Sequence, residues 1–156
     1  GRMVYGEAPA RMAARDGAPV IVTEGYMDVI ACQQAGFRGA IAPMGTALTE
    51  EQILTLWKMI TSDEKMPILC FDGDNAGLQA AARASARVLP LLGPGRSVKF
   101  AFMPQGEDPD SLLRAGKREA FQNVLNSAMS LFHYLWMSAV TGRDLKVPEI
   151  RAQVSD

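Results

Sequence analysis

Two carboxylates, Asp72 and Asp74, stand one glycine apart where the apolar run Ile68-Leu69-Cys70-Phe71 gives way to Asn75-Ala76-Gly77. A short apolar run of this kind reads as a buried strand, and open parallel α/β sheets bind their ligands beyond the carboxyl ends of strands. Like charges this close raise one another's pKa unless a cation is shared between them. Carboxylate oxygen is also the ligand that hard divalent ions such as Mg²⁺ prefer, so the first chemistry this pair points to is metal holding. The same residues equally suit an Asp-Gly turn in which Asp74 or Asn75 caps the helix that follows.

The pattern recurs twice. The β-branched run Pro19-Val20-Ile21-Val22-Thr23 ends in Glu24-Gly25-Tyr26-Met27-Asp28, and the alternating run Val98-Lys99-Phe100-Ala101-Phe102-Met103 leads through Pro104-Gln105-Gly106-Glu107 to Asp108-Pro109-Asp110. Each acid has a structural reading of its own. Glu24 is a loop charge, Asp28 a first-turn residue favoured by the helix dipole, and Asp108 an N-cap ahead of Pro109 at the first helical position. Three acidic clusters at three strand ends nevertheless point to one shared site.

Taken together, Val22-Thr23-Glu24-Gly25-Tyr26-Met27-Asp28-Val29-Ile30, Gly45-Thr46-Ala47-Leu48-Thr49, Phe71-Asp72-Gly73-Asp74-Asn75-Ala76-Gly77 and Gly106-Glu107-Asp108-Pro109-Asp110 closely resemble, in order and spacing, the TOPRIM segment of bacterial DnaG-type DNA primases. The opening Gly1-Arg2-Met3-Val4-Tyr5-Gly6 is similar to the end of the motif that precedes this segment, and the resemblance is weakest after Asn126. It implies an α/β fold with a TOPRIM-type parallel sheet flanked by helices and a C-terminal helical extension. The corresponding division is a lead-in segment over 1–18, a TOPRIM domain over 19–110 and the start of a helical subdomain over 111–156.

The resemblance also implies a Mg²⁺ or Mn²⁺ site in an RNA polymerase core, with Glu24, Asp72 and Asp74 at the principal acidic positions and Asp28, Asp108 and Asp110 as supporting acids. The reaction implied is nucleotidyl transfer, in which the 3′-hydroxyl of a growing RNA attacks the α-phosphorus of a ribonucleoside triphosphate and pyrophosphate leaves. Clustered carboxylates rather than a histidine base suit such metal-assisted chemistry. Glu24 is either a metal ligand or an aid to proton transfer. Gly25, Gly45, Gly73 and Gly77 let the backbone approach phosphate or metal, or serve turn geometry alone. The implied partners are a single-stranded DNA template, ribonucleoside triphosphates and an RNA primer. A replicative helicase is a further partner, through a domain absent from this stretch.

Composition agrees with a piece of such an enzyme. The chain has 156 residues, 48% hydrophobic and 21% charged, which is ordinary for a globular domain and excludes a disordered chain. Its 16 basic and 17 acidic residues leave a net charge of −1, an unusual balance for a self-sufficient nucleic-acid binder. The basic subdomain that holds template in the resembled family is missing, so the chain reads as a fragment. Arg83, Arg87, Arg96 and Lys99 form a local concentration of charge that reads as a solvated helix face and loop. No apolar run approaches a bilayer span and no basic-then-apolar leader is present, so a cytoplasmic protein without membrane contact is expected. Cys32 and Cys70 read as small packing residues, not as a bridge or a zinc site. His133 reads as a packing or partly exposed helix residue.

The elements that must position the acids follow from periodicity. Helix is expected over about Glu7 to Arg15, then the strand to Thr23, a helix over Met27 to Ala35 stopped by Gly36, and a short strand at Ala40 to Ala42. Thr49-Glu50-Glu51-Gln52 has the capping-box pattern and opens a helix with Ile53, Leu56, Trp57 and Ile60 on one face. The helix after Asp74 places Leu78, Ala81, Ala82, Val88, Leu89 and Leu92 at 3.6-residue spacing until Pro90 kinks or ends it, and Gly93-Pro94-Gly95 is a turn. Such alternation predicts a parallel sheet with helices on both faces. From Asp108 the pattern is all-helical, broken near Gly116 and Met129, with a polar tail from Thr141 and apolar surface around Phe132, Trp136 and Met137 left uncovered.

Other readings are weaker. A topoisomerase needs a nucleophilic tyrosine, and no context marks Tyr5, Tyr26 or Tyr134. Nucleases of the superfamily share the acids but not Glu24-Gly25-Tyr26-Met27-Asp28 together with Asp108-Pro109-Asp110. An aspartate-nucleophile phosphatase carries Asp-x-Asp after an early strand followed by Thr or Val, whereas Asn75 follows here on the third. A metal- or nucleotide-binding module inert by itself is compatible with a primase parent.

Overall fold

The computed structural model describes residues 4–44 and 47–146. Gly1-Arg2-Met3, Gly45 and Thr46, which carry part of the resemblance, and the polar stretch from residue 147 onward lie outside the described residues.

The elements run β1 (Val4–Tyr5), α1 (Glu7–Arg15), β2 (Ile21–Val22), α2 (Tyr26–Gln34), β3 (Ala40–Pro43), α3 (Glu50–Met59), β4 (Ile68–Phe71) and α4 (Asn75–Val88). They continue as a 3₁₀ turn (Leu89–Leu91), β5 (Lys99–Phe102), α5 (Pro109–Arg114), α6 (Arg118–Asn126), β6 (Met129–Ser130) and α7 (Leu131–Lys146). Local chemistry accounts for the boundaries. Thr49 and Gln52 form the reciprocal capping box that opens α3. Gly36, at φ +97°, takes the left-handed conformation that stops α2. Pro90 converts the end of α4 into the 3₁₀ turn.

Among the described residues six strands form the sheet, in the order β1-β3-β2-β4-β5-β6. The inner four, β3-β2-β4-β5, are parallel, as predicted. Both edges are antiparallel: β1 pairs with β3, and β6 pairs with β5 through Lys99↔Ser130 and Phe100↔Met129. The sheet is therefore mixed. β6 also corrects the all-helical reading beyond Asp108, since two residues between helices suffice to cover an exposed sheet edge and are too few for periodicity to register.

Alternation along the strands sends successive side chains to opposite faces. Val22, Ile41, Leu69, Phe71 and Phe100 pack beneath residues of α1, α3, α4 and α7. Ile21, Ala40, Ala42, Cys70 and Met103 pack beneath α2, α5 and α6. Tyr134 stacks on Phe100 at 4.5 Å and ties α7 to the sheet. Both cysteines are free and buried, and burial pushes the Cys32 thiol up to about 12 and the Cys70 thiol higher still, consistent with packing roles.

Two expectations about faces differ from what is observed. On α4 the buried stripe is Gly77, Ala81, Ala84, Ser85 and Val88, while Leu78 is 57% exposed and Leu89 is also exposed. Small residues win that face because the helix lies almost on the strand loop. A Cβ on Gly77 would collide with the Asp72 carbonyl oxygen. At the C-terminus α7 continues past Thr141 to Lys146 where a polar tail was expected. Along it Phe132 and Trp136 are 68% and 64% exposed and Met137 is also exposed, matching the uncovered surface foreseen. No helix among the described residues is long and apolar enough to cross a membrane.

Candidate active site

The chain leaves β2 for β3 on one side and reaches β4 on the other, so the carboxyl ends of β2 and β4 meet at the switch point of the sheet. Crevices at such points are where open α/β sheets take ligands. Glu24 lies just past β2 and Asp72 just past β4, and they are joined directly: the Asp72 backbone N–H donates to Glu24 Oε2 at 2.6 Å.

The other acids are held by the starts of helices. Asp74 Oδ1 accepts from the Gly77 N–H at 2.7 Å and caps α4. Asp108 Oδ1 accepts from the Ser111 N–H at 2.7 Å and caps α5, with the Ser111 hydroxyl accepting in return from the Asp108 N–H. Asp28 sits in the first turn of α2, only 6% exposed, and its Oδ1 accepts from the Asp110 N–H at 2.9 Å. Asp110 pairs with Arg114 at 3.0 Å. The capping and first-turn readings of Asp74, Asp108 and Asp28 are thus all realised. They do not compete with a shared site, because each cap engages one carboxylate oxygen.

The Gly73 loop is bolted to the loop after β5. Gly73 N–H donates to the Glu107 carbonyl at 3.0 Å and Gly106 N–H to the Gly73 carbonyl at 2.8 Å. A Cβ on Gly73 would strike the Pro104 carbonyl. Alanine within a helix ordinarily gains up to about 1 kcal/mol over glycine. At Gly77 the backbone collision reverses the sign: Gly77→Ala and Gly73→Ala should each cost about 1–3 kcal/mol or more, read from urea denaturation midpoints. A neutral or stabilising result would show that these close approaches are absent.

The carboxylates repel one another. Burial, then Glu24, Asp28, Asp108 and Asp74, pushes the Asp72 carboxyl up to about 7. Burial raises Asp28 to about 6 against the opposing Asp110 N–H, with Asp108, Asp110 and Glu24 adding to the rise. Glu24 is also raised, by burial and by Asp74, while the Asp72 N–H and Arg83 act to lower it. A group whose pKa rises on folding favours the folded state at low pH, and that advantage is lost as pH climbs through the folded value. The relevant window runs from the ordinary aspartate value of 3.8 to about 7. In metal-free buffer the melting temperature of Asp72→Asn relative to wild type should therefore increase across this window. A difference that stays constant would contradict the repulsion.

Asp72 Oδ1 is buried and has no hydrogen-bond partner among the described residues. A buried acceptor left without a donor is costly, and a cation is the one partner that would also relieve the surrounding repulsion. Among the described residues no three acids form a ready-made ion cage. Mg²⁺ does not require one, since it keeps several waters and is bound through one or two carboxylates together with substrate phosphates. The donor set fits a hard divalent ion.

Sequence reasoning passed over Arg83. It reads there as part of a solvated face, and it is indeed exposed, but it borders the same cleft as Glu24. Its spacing with Ala80, Ala84 and Arg87, all on one side of α4, was the available signal. Arg96 instead lies over the Trp57 ring at 4.8 Å, and Lys99 is exposed at the start of β5. His133 is exposed.

Glu24 and Asp72 thus meet at the switch point of a largely parallel α/β sheet, with Asp28, Asp108 and Asp74 near enough to act on the Asp72 carboxyl. The family model described as Toprim domain matches residues 18–102, and the chain belongs to the Toprim family. It is 42% identical over 156 residues to the DNA primase of Pseudomonas aeruginosa, covering 99% of this chain and 23% of that protein. It is 39% identical to the Escherichia coli K12 DNA primase, covering 99% of this chain and 26% of the relative. The chain thus spans about a quarter of these relatives' length. Among solved structures, a DNA primase domain from Pseudomonas aeruginosa superposes with TM-score 0.81 at 44% identity, covering 89% of this chain and 42% of that one. A DnaG primase catalytic domain bound to single-stranded DNA gives TM-score 0.78 at 39% identity, with 99% and 49% covered.

Proposed function

We propose that this chain is part of the catalytic core of a bacterial DNA primase, a cytoplasmic DNA-directed RNA polymerase that makes short RNA primers for replication. One observation carries the reading, the alignment of nearly the whole chain with DNA primases, and the link between Glu24 and Asp72 at the switch point, beside a partnerless Asp72 oxygen, supports it.

Glu24, Asp72 and Asp74 would hold Mg²⁺ or Mn²⁺, with Asp28, Asp108 and Asp110 supporting them. When bound, the ion lowers the pKa of the attacking hydroxyl and offsets charge on the triphosphate. The chain's own contribution is placement. The bond from the Asp72 N–H fixes Glu24 across the switch point. The two caps aim Asp74 and Asp108 from helix starts. The Asp28 bond to the α5 terminus keeps the third strand end in register with the others. Glu24, raised by its surroundings, also suits proton transfer from the attacking hydroxyl.

The template is single-stranded DNA and the substrates are ribonucleoside triphosphates, with a replicative helicase engaged through another part of the protein. A net charge of −1 leaves this chain little with which to hold a template. Alone, it should show weak, salt-sensitive single-stranded DNA binding and little or no primer synthesis, whereas a version extended at its N-terminus should prime. Robust priming by these 156 residues alone would overturn the division of labour.

A further inference from the structure

We propose that Arg83 binds phosphate: the cleft between the ends of β2 and β4 and the flank of α4 takes the polyphosphate group of a nucleotide, with Glu24 on one side and the Arg83 guanidinium on the other. The choice of a nucleotide's polyphosphate rests on the primase reading. The site itself rests on the geometry.

The cleft measures about 220 Å³, and Glu24, Arg83 and Arg87 are its charged borders. That is below the size of pockets that enclose whole drug-sized ligands and suits a chemical group. Its floor is apolar, formed by Val22, Leu69 and Phe71. Ala80 and Ala84 line the α4 wall, and their small side chains leave the space open between the two arginines.

The arginines differ in what they do. Arg87 Nη1 donates to the Leu48 carbonyl at 2.8 Å and holds the segment after β3 against α4, so it shapes the cleft. Arg83 has no hydrogen bond or ion pair among the described residues, although its charge acts on Glu24. A cation beside Glu24 opposes binding of a metal ion there on its own. The arrangement becomes favourable when the ligand brings more negative charge than the ion cancels, as a polyphosphate does. The guanidinium fork matches phosphate oxygens, and the apolar floor strengthens the attraction by excluding water. Glu24 on the same cleft repels bare phosphate, so binding should need the divalent ion as well as Arg83.

The test uses the complete protein with tripolyphosphate as probe, followed by calorimetry in Mg²⁺ and again in EDTA. Wild type should bind in Mg²⁺ only. Arg83→Ala should weaken binding by about tenfold or more, and Arg83→Lys, which keeps charge without the fork, should fall between. In primer synthesis Arg83→Ala should raise the KM for ribonucleoside triphosphate and the inhibition constant of pyrophosphate by a similar factor, with template affinity unchanged. A merely structural role would lower the melting temperature and kcat and leave KM and tripolyphosphate binding unmoved, which would overturn the proposal. Arg83-dependent tripolyphosphate binding in a protein that makes no primers would uphold the site while removing the primase reading. Normal priming with unaltered tripolyphosphate binding in Arg83→Ala would do the reverse.

Discussion

Asp72→Asn, Asp74→Asn or Glu24→Gln in the complete protein should each reduce primer synthesis by more than about 100-fold, with single-stranded DNA binding largely intact. Each change removes a charge and little else. Asn retains capping ability at position 74, so the start of α4 survives and a folding defect cannot account for the loss. Gln at position 24 keeps an oxygen to accept the Asp72 N–H, so the link between β2 and β4 is preserved. Template is held elsewhere in this account, so anisotropy with labelled DNA should change little. Priming that survives all three substitutions would show that the acid cluster is not the catalytic centre.

The second large effect concerns stability. Without a cation, burial first and then the neighbouring carboxylates push the Asp72 and Asp28 carboxyls up, so charge at these positions costs stability. Asp72→Asn should therefore melt slightly higher than wild type in EDTA. Wild type should gain more from Mg²⁺: for a dissociation constant near 1 mM, about 10 mM ion stabilises the fold by roughly 1.4 kcal/mol through mass action. For a domain of this size that is a rise of about 3–6 °C, most of which the Asn variants should lose. Mn²⁺ should replace Mg²⁺, and K⁺ at matched ionic strength should not, which separates ligation from screening. Equal responses of wild type and variants would reduce the acids to caps and turn formers.

Much of the site was legible because its signals are local. The apolar run before Asp72, the Thr49 and Gln52 capping box and the glycine stop at Gly36 each depend on a few neighbouring residues, and each is found in place. The sequence presented capping and shared-site readings of Asp74 and Asp108 as alternatives, whereas the structure shows a cap using one carboxylate oxygen. What escaped depends on distant packing. Leu78 and Leu89 carry the helical spacing of a core face, yet the close approach of α4 to the Asp72 loop hands that face to Gly77, Ala81 and Ala84. β6 is visible only through its pairing with β5. The place of Arg83 beside Glu24 required knowing which side of α4 faces the cleft.

Binding of a divalent ion where the three strand ends meet can be followed residue by residue in a Mn²⁺ titration of the ¹⁵N-labelled protein observed by NMR. The amides of Glu24 to Asp28 and Asp72 to Gly77 should broaden selectively, with Gly36, Phe37 and Gly116 at the opposite end of the sheet left sharp and Asp72→Asn suppressing the effect. Broadening centred elsewhere, or undiminished in Asp72→Asn, would contradict it.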